Sequence, residues 1–224
     1  MTYHFQFRDV LAYWPSLLDG IAITLMLAVS GMAGGLLVGI VGAAARLYGP
    51  RPLRLLAVAY VEAIRNTPLL VQLFLVFFGL PQVGVRLDAP VAAIATLIVN
   101  VGAYATEIVR AGIEAVPRGQ IEAGRALGLK SHQIFRFVVL VPALRTVFPA
   151  LASQFILVML ASSVVSVISA EELTAVTDTI VARNFRSFEF YFVITGIYLG
   201  LTLAFQAVFV LIERALFQRW AGTA

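Results

Sequence analysis

The chain has 224 residues, of which 61% are hydrophobic and only 12% charged, with a formal net charge of +4 and no cysteine. A water-soluble domain of this length has too little interior to bury so much apolar surface, so the composition indicates an integral membrane protein. The lack of cysteine excludes disulfides, thiolate metal sites and cysteine catalysis. The two histidines, His4 and His132, lie far apart and indicate no metal cluster. The basic residues fall between apolar runs, which fits membrane topology better than nucleic-acid binding.

Five stretches carry no charged residue, and each is about as long as the roughly 20 residues that a helix needs to cross the hydrocarbon core. The alternating polarity of a membrane barrel is missing. The sequence therefore predicts an all-α membrane protein with five transmembrane helices in a single domain spanning residues 1–224. The charge-free stretches are residues 20–45, 66–85, 89–106, 146–170 and 190–212.

The distribution of Lys and Arg predicts the orientation of the chain. The segments after the first, third and fifth spans hold most of these residues and should be cytoplasmic, with the N-terminus outside and the C-terminus inside. Residues 1–19 are too polar to span, and their aromatic side chains predict an outer interfacial segment. Residues 111–136 would then form a cytoplasmic loop, and residues 171–189 an outer loop.

The first span carries glycines four residues apart, at Gly31, Gly35 and Gly39. Such a small-xxx-small pattern lets another helix approach closely. We predict a packing role for this face, and a sister subunit is one candidate partner.

The second span contains Pro68, which lacks the N–H of a normal helix residue and kinks the helix. Irregular backbone at membrane depth is tolerated where it faces a cavity, and transporters use broken helices to hold charged substrates. We predict that the residues around the kink line a path through the membrane, although helix–helix hydrogen bonding would also explain their polar side chains. These residues are Asn66, Thr67, Pro68, Leu69 and Gln72.

Two charged residues, Glu62 and Arg65, precede the kink and share a helix face, so they can pair with each other. Ionisable groups at such depth face protein or water rather than lipid. A self-neutralising or snorkelling pair and a gating or solute-contacting role both remain open.

The third and fourth spans add further polar side chains. Asn100 is the deepest of a helical row that includes Tyr104 and Glu107, and Glu107 and Arg110 are predicted to form a structural pair. On the fourth span a polar stripe includes Gln154, Ser162, Ser163 and Ser166. We predict that four of these residues also line the path: Asn100, Gln154, Ser162 and Ser163.

The cytoplasmic loop contains "GRALGLKS", which is within one residue of a phosphate-binding loop. Leu129 separates Gly128 from Lys130, and no strand or second nucleotide motif accompanies it, so ATP binding by this chain is not predicted. The stretch instead indicates a short helix opened by Pro117 and closed by Gly128. Composition leaves two alternatives open, a solvated connector and a docking element with small residues at 123, 124 and 126 and apolar residues at 121, 127 and 129.

The stretch "GQIEAGRALGLKSHQIFRFVVLVPALR" resembles the EAA loop of type I ABC importer permeases. Glu122, Ala123 and Gly128 match the motif, whereas Gly124 replaces its second alanine and Pro142 stands one place late. In that family the loop forms a coupling helix that fits a cleft on the ATPase subunit. The resemblance assigns this role to Gly119, Gln120, Glu122, Ala123, Gly124, Leu127 and Gly128.

Three further stretches, "YVEAIRNTPLLVQLFLVFFGLP", "NVGAYATEIVRAGIEAVPRGQ" and "SSVVSVISAEELT", resemble the polar amino acid subfamily, which takes up amino acids such as histidine, glutamate or arginine. Members often carry charge just before the serine pair, where this chain has Leu160 and Ala161. Charge selectivity at those positions therefore cannot be transferred.

The resemblance implies a permease subunit in the bacterial inner membrane that forms the substrate path but is not itself an enzyme. ATP and Mg would bind the partner ATPase subunits, and no cofactor is expected in this chain. A second permease subunit, identical or paralogous, and an extracytoplasmic amino acid-binding protein are the other expected partners. The alternative is an ion-coupled secondary transporter, which usually needs more helices and internal repeats; a membrane enzyme would need a nucleophile and base that the spans lack.

Overall fold

The computed structural model describes residues 5–217, and every secondary-structure element in that range is helical. Residues 1–4 and 218–224, which include His4 and Arg219, lie outside the described residues. The helices are α1 Arg8–Ala12, α2 Trp14–Tyr48, α3 Arg51–Arg65, α4 Leu69–Phe74, α5 Ala89–Glu114, α6 Arg118–Ala126, α7 Ser131–Gln133, α8 Leu140–Ala161, α9 Leu173–Asn184 and α10 Ser187–Phe217. Short π-helical turns, Leu75–Gly79 and Ile134–Val139, and 3-10 turns, Leu80–Val83 and Ser162–Ile168, extend α4, α7 and α8.

Four helical stretches among the described residues are long and apolar enough to cross a membrane, and a bent pair adds a fifth if it counts as one span. The all-helical prediction is thus confirmed, with four to five candidate spans. The first span begins at Trp14, so residues 14–19 belong to the same helix as the apolar run that follows. The 35 residues of α2 extend about 52 Å, well beyond the roughly 30 Å hydrocarbon core. The four unbroken stretches are Trp14–Tyr48, Ala89–Glu114, Ser131–Ile168 and Ser187–Phe217.

The bent pair shows how Pro68 acts on the backbone. α3 ends at Arg65, and Pro68, the residue immediately before α4, adopts an extended conformation (φ −65°, ψ 139°). Proline disfavours helical geometry in the residue before it and cannot donate a backbone hydrogen bond. The chain bends by 108° here. The predicted kink within one helix is therefore wrong, because the proline separates two helices.

The described residues form two compact units. The first contains residues 5–33, 67–98 and 155–206. Its core is a cluster of six fully or almost fully buried apolar side chains from α1, α2, α9 and α10. They are Val10, Leu17, Leu173, Ile180, Phe190 and Ile194.

The second unit contains residues 34–66, 99–154 and 207–217. Its tightest packing joins α2 to α5, where a Cβ added at Gly35 or Gly39 would collide with Val101 or Ala105. Within the first unit, a Cβ added at Gly31 of α2 would likewise collide with Leu97 of α5. The predicted packing role of these glycines is confirmed, and their partner is α5 of the same chain.

Candidate functional site

The residues just before the break at Pro68 have partners that the sequence did not indicate. The side-chain amide of Asn66 donates to the Glu62 carbonyl (2.8 Å) and to the Glu62 carboxylate (3.0 Å). The Arg65 guanidinium instead lies over the Tyr104 ring, 5.3 Å from its centroid. Of the alternatives left open for Glu62 and Arg65, the mutual ion pair is not formed among the described residues, since Glu62 accepts from Asn66 and Arg65 lies over Tyr104. Asn66 closes the last turn of α3, where the carbonyl groups lack helical partners.

Beyond the break, the Gln72 amide donates to the hydroxyl of Thr67 (2.9 Å) and to its carbonyl (3.1 Å). Gln72 is buried, whereas Thr67 and Pro68 are exposed and Leu69 is partly exposed. The exposed side of the break is thus formed by Thr67 and Pro68. The Gln72 amide joins the start of α4 to Thr67, and its role in lining a path stays a prediction.

The serine pair lies at the change from α8 to the 3-10 turn Ser162–Ile168, beside which α4 packs. Ser162 is fully buried and donates to the Met159 carbonyl (2.7 Å). Ser163 is partly exposed and donates to the Leu160 carbonyl (2.8 Å). The structure therefore brings the helix of Gln72 next to the serine pair within one unit. Ser162 is enclosed by its own chain, and its predicted place on the path stays a prediction.

In the other unit the predicted path residues differ in accessibility. Asn100 is partly exposed on α5, and Gln154 is buried on α8. The path-lining role of both residues stays a prediction.

A network of charged side chains surrounds Glu107 of α5. Glu107 forms an ion pair with Arg110 (2.8 Å), which confirms the predicted pair, and Arg110 also pairs with Glu114. Arg46, near the end of α2, forms a second ion pair with Glu107. Arg46 is not among the predicted site residues, because its place after an apolar run marks it only as a cytoplasmic charge. Two cations thus hold the single Glu107 carboxylate, which offsets its charge where it is about four-fifths buried.

The predicted loop helix is present as α6 and lies on the surface. Pro117 precedes its first residue, and Gly128 adopts the left-handed conformation (φ 75°) that ends it, as the sequence predicted. Leu127, directly after α6, is 80% exposed and presents an apolar side chain at the surface. The exposed members of the predicted coupling set are Gly119, Gln120, Glu122, Ala123, Leu127 and Gly128.

The inner side of α6 packs on its own chain. Gly124 is buried, and a Cβ there would lie 3.3 Å from Ile134 Cγ1. Ile121 and Leu129 pack against the cluster that includes Ile134 and Val139. These three residues therefore attach α6 to the start of the fourth span, and the coupling role predicted for Gly124 stays a prediction.

In the first unit, α9 is held by a buried carboxylate. Glu172 is fully buried and accepts hydrogen bonds from Tyr198 (2.8 Å), the Ala175 N–H (2.9 Å) and Thr24 (3.3 Å). These contacts tie the predicted outer loop to α2 and α10. Within residues 5–217 no group of three or more His, Asp or Glu residues is arranged to hold a metal ion.

The fold closely matches that of solved transporters. A chain from a crystal structure described as an amino acid ABC transporter with histidines has a TM-score of 0.90 and 38% sequence identity, covering 96% of this chain and 100% of that chain. A chain of the MetNI methionine ABC transporter in an inward-facing conformation has a TM-score of 0.74 and 25% identity, covering 92% and 98%. The fold and the exposed loop helix thus define a permease subunit of an ABC importer.

Sequence comparisons agree with this class. The model of the binding-protein-dependent transport system inner membrane component matches residues 35–218, and the chain belongs to that family. The glutamine transport system permease protein GlnP of Escherichia coli strain K12 is 36% identical over 211 residues, 92% of this chain and 96% of that protein. The L-cystine transport system permease protein TcyB of Bacillus subtilis strain 168 is 42% identical over 174 residues, 77% and 74% of the two chains.

These relationships confirm the resemblance to the polar amino acid permeases seen in the motifs. The protein is a multi-pass, non-catalytic component of the inner membrane. Membership of this family also removes the alternative of an ion-coupled secondary transporter.

Proposed function

We propose that this protein is the membrane subunit through which an ATP-driven importer takes up a polar amino acid of the glutamine, arginine or cystine type. The observation that supports this most strongly is the match to amino acid permeases along almost the whole chain, in sequence and in fold. The full 1–224 domain would serve as one half of the conduit, paired with an identical or paralogous permease.

We infer that α6 is the coupling helix of the cytoplasmic loop 111–136. Its exposed residues, together with Leu127 at its C-terminal end, would fit a cleft on an ATPase subunit that binds ATP and Mg. Gly124, Ile121 and Leu129 would transmit the movement, because they fasten α6 to the start of the fourth span. In this arrangement the N-terminus faces outward and the C-terminus inward, as the Lys and Arg distribution predicts.

We infer that the substrate path uses candidates within each unit. In the first unit the exposed Thr67 and Pro68 and the partly exposed Leu69 and Ser163 are accessible. Asn66 and Asn100 are the accessible candidates of the second. Gln72, Gln154 and Ser162 would act by supporting these residues or would become exposed in another state of the transport cycle.

The outer segments, residues 1–19 and 171–189, would receive an extracytoplasmic amino acid-binding protein. A cleft of about 540 Å³ in the first unit lies between the start of α2 and α9. Its lining mixes charged side chains, hydroxyls and apolar side chains; the charged ones are Asp19, Glu171, Asp178 and Arg183, and the apolar ones include Ile23, Val176 and Ile180. A surface that combines apolar and charged groups suits a protein contact.

Reconstituted transport tests the proposal. The permease would be placed in liposomes with the ATPase and binding protein encoded beside it, and uptake of radiolabelled glutamine, arginine and cystine would be measured. We expect uptake of at least one of these amino acids only when ATP and the binding protein are both present. Uptake by the permease alone, driven by an ion gradient, would overturn the assignment.

A further inference from the structure

The guanidinium of Arg65 is held in an unusual way. Arg65 is the last residue of α3 and is exposed, and its guanidinium lies over the Tyr104 ring. Among the described residues it has no hydrogen-bond or ion-pair partner. A contact with an aromatic face leaves the N–H groups at the guanidinium edge available to an acceptor.

A shallow cavity of about 410 Å³, widely open to the surface, lies beside this side chain within the second unit. Its size is within the roughly 300–1,000 Å³ of small-molecule sites. Arg65 and Glu107 supply the charged part of its lining, and Thr146 supplies a hydroxyl. Ile108, Ala111 and Ala150 supply much of its apolar wall.

The two charged groups of the cavity are not equivalent. Arg46 and Arg110 both pair with Glu107, so its negative charge is already offset. The Glu62 carboxylate accepts a hydrogen bond from the Asn66 amide and does not line the cavity. The charge left open to a ligand in this cavity is therefore the positive one of Arg65.

We propose that this cavity binds the α-carboxylate of an amino acid inside the permease, with Arg65 as the residue that recognises it. A planar guanidinium matches a carboxylate with two parallel hydrogen bonds, and its stacking on Tyr104 fixes its orientation. The apolar wall carries no charged group that would select a side chain, so the site recognises the main chain common to all amino acids. This inference rests on the proposed function and adds a residue outside the predicted path set.

The competing explanation is purely structural. A cation in the last turn of a helix interacts favourably with the helix dipole, and Arg65 occupies that position in α3. Such a role would affect stability but would not distinguish ligands with and without a carboxylate. The experiment therefore compares a ligand that has the carboxylate with one that lacks it, in the wild type and in variants.

The measurement is binding of L-glutamine and of its α-amide, which lacks the carboxylate charge, to the solubilised permease–ATPase complex without binding protein. Saturation-transfer NMR detects weak binding, with dissociation constants up to the millimolar range. We expect the wild-type complex to prefer the acid by about tenfold or more, and Arg65→Gln to abolish this preference. Arg65→Lys should retain part of it, and Arg54→Gln, an exposed arginine of the same helix, should leave it unchanged.

A cavity-filling variant keeps the test independent of the charge change. Ala150 is exposed on the cavity wall, and Ala150→Phe should weaken binding of both ligands if the cavity is the site. An acid-over-amide preference that persists in Arg65→Gln, or absence of glutamine binding by the wild type, overturns the inference. ATP-driven uptake measured in parallel distinguishes the Arg65 site from the proposed importer function. If uptake occurs but Arg65→Gln does not change the preference for the acid, the Arg65 site is wrong and the importer function stands. If the complex binds glutamine through Arg65 but shows no ATP-driven uptake, the importer function is wrong.

Discussion

Truncation of Leu127 to alanine tests the coupling surface most directly. Leu127 is 80% exposed, so only about one fifth of the roughly 2 kcal/mol from burying a leucine, about 0.4 kcal/mol, is at stake within the subunit. If the ATPase buries the remaining four fifths, docking loses about 1.6 kcal/mol, equivalent to about 15-fold in affinity. Leu127→Ala should therefore insert and fold normally but bind the ATPase more weakly.

The assay is titration of the ATPase against the permease in lipid nanodiscs, together with ATP-driven uptake in liposomes. Leu129→Ala is the matched control, because Leu129 packs against the chain's own cluster. This control should lower the thermal stability of the permease more than Leu127→Ala does. Unchanged ATPase affinity and normal uptake for Leu127→Ala would refute the assignment of the exposed face of α6 as the docking surface.

Three further predictions test other parts of the structure. Gly128→Arg should abolish uptake at normal membrane insertion, because it places a long side chain on the exposed end of α6. Gly128→Asn should retain more activity, because asparagine tolerates the left-handed conformation of this position. Equal uptake by both variants would contradict this view. Gly39→Val should destabilise the permease by about 1–3 kcal/mol through overpacking against Ala105, measured as a lower melting temperature in detergent, and an unchanged melting temperature would contradict the packing. Glu172→Ala should cost about 3 kcal/mol by leaving buried donors unpaired, whereas Tyr198→Phe should cost about 1 kcal/mol; similar thermal stability of both variants would argue against the buried network.

Several structural features could be predicted because they depend on a short stretch of chain. Gly128 ends α6 because only a residue that tolerates positive φ closes a helix in this way, and Pro117 precedes α6 because its fixed φ suits a helix start. The severity of the break at Pro68 was underestimated, because a proline signals an interruption but its neighbours decide the angle.

The polar residues of the candidate path were harder to interpret. Ser162 and Gln72 had the chemistry of path-lining groups, yet both are buried and bonded to nearby backbone. Periodicity places a side chain on one face of its own helix but does not identify what covers that face. Arg46 shows the same limit, since its partner Glu107 lies 61 positions along the chain.

The amino-acid sequence alone determined the membrane class, the helical content and the local starts and ends of helices, because hydropathy and backbone preference act over neighbouring residues. Only the tertiary structure decided that Gly124 faces inward while Leu127 faces outward, that the Gly31–Gly39 face packs on α5, and that Arg65 stacks on Tyr104. The physical reason is that burial and pairing depend on which helices become neighbours, and that choice is made by packing between segments distant in the chain.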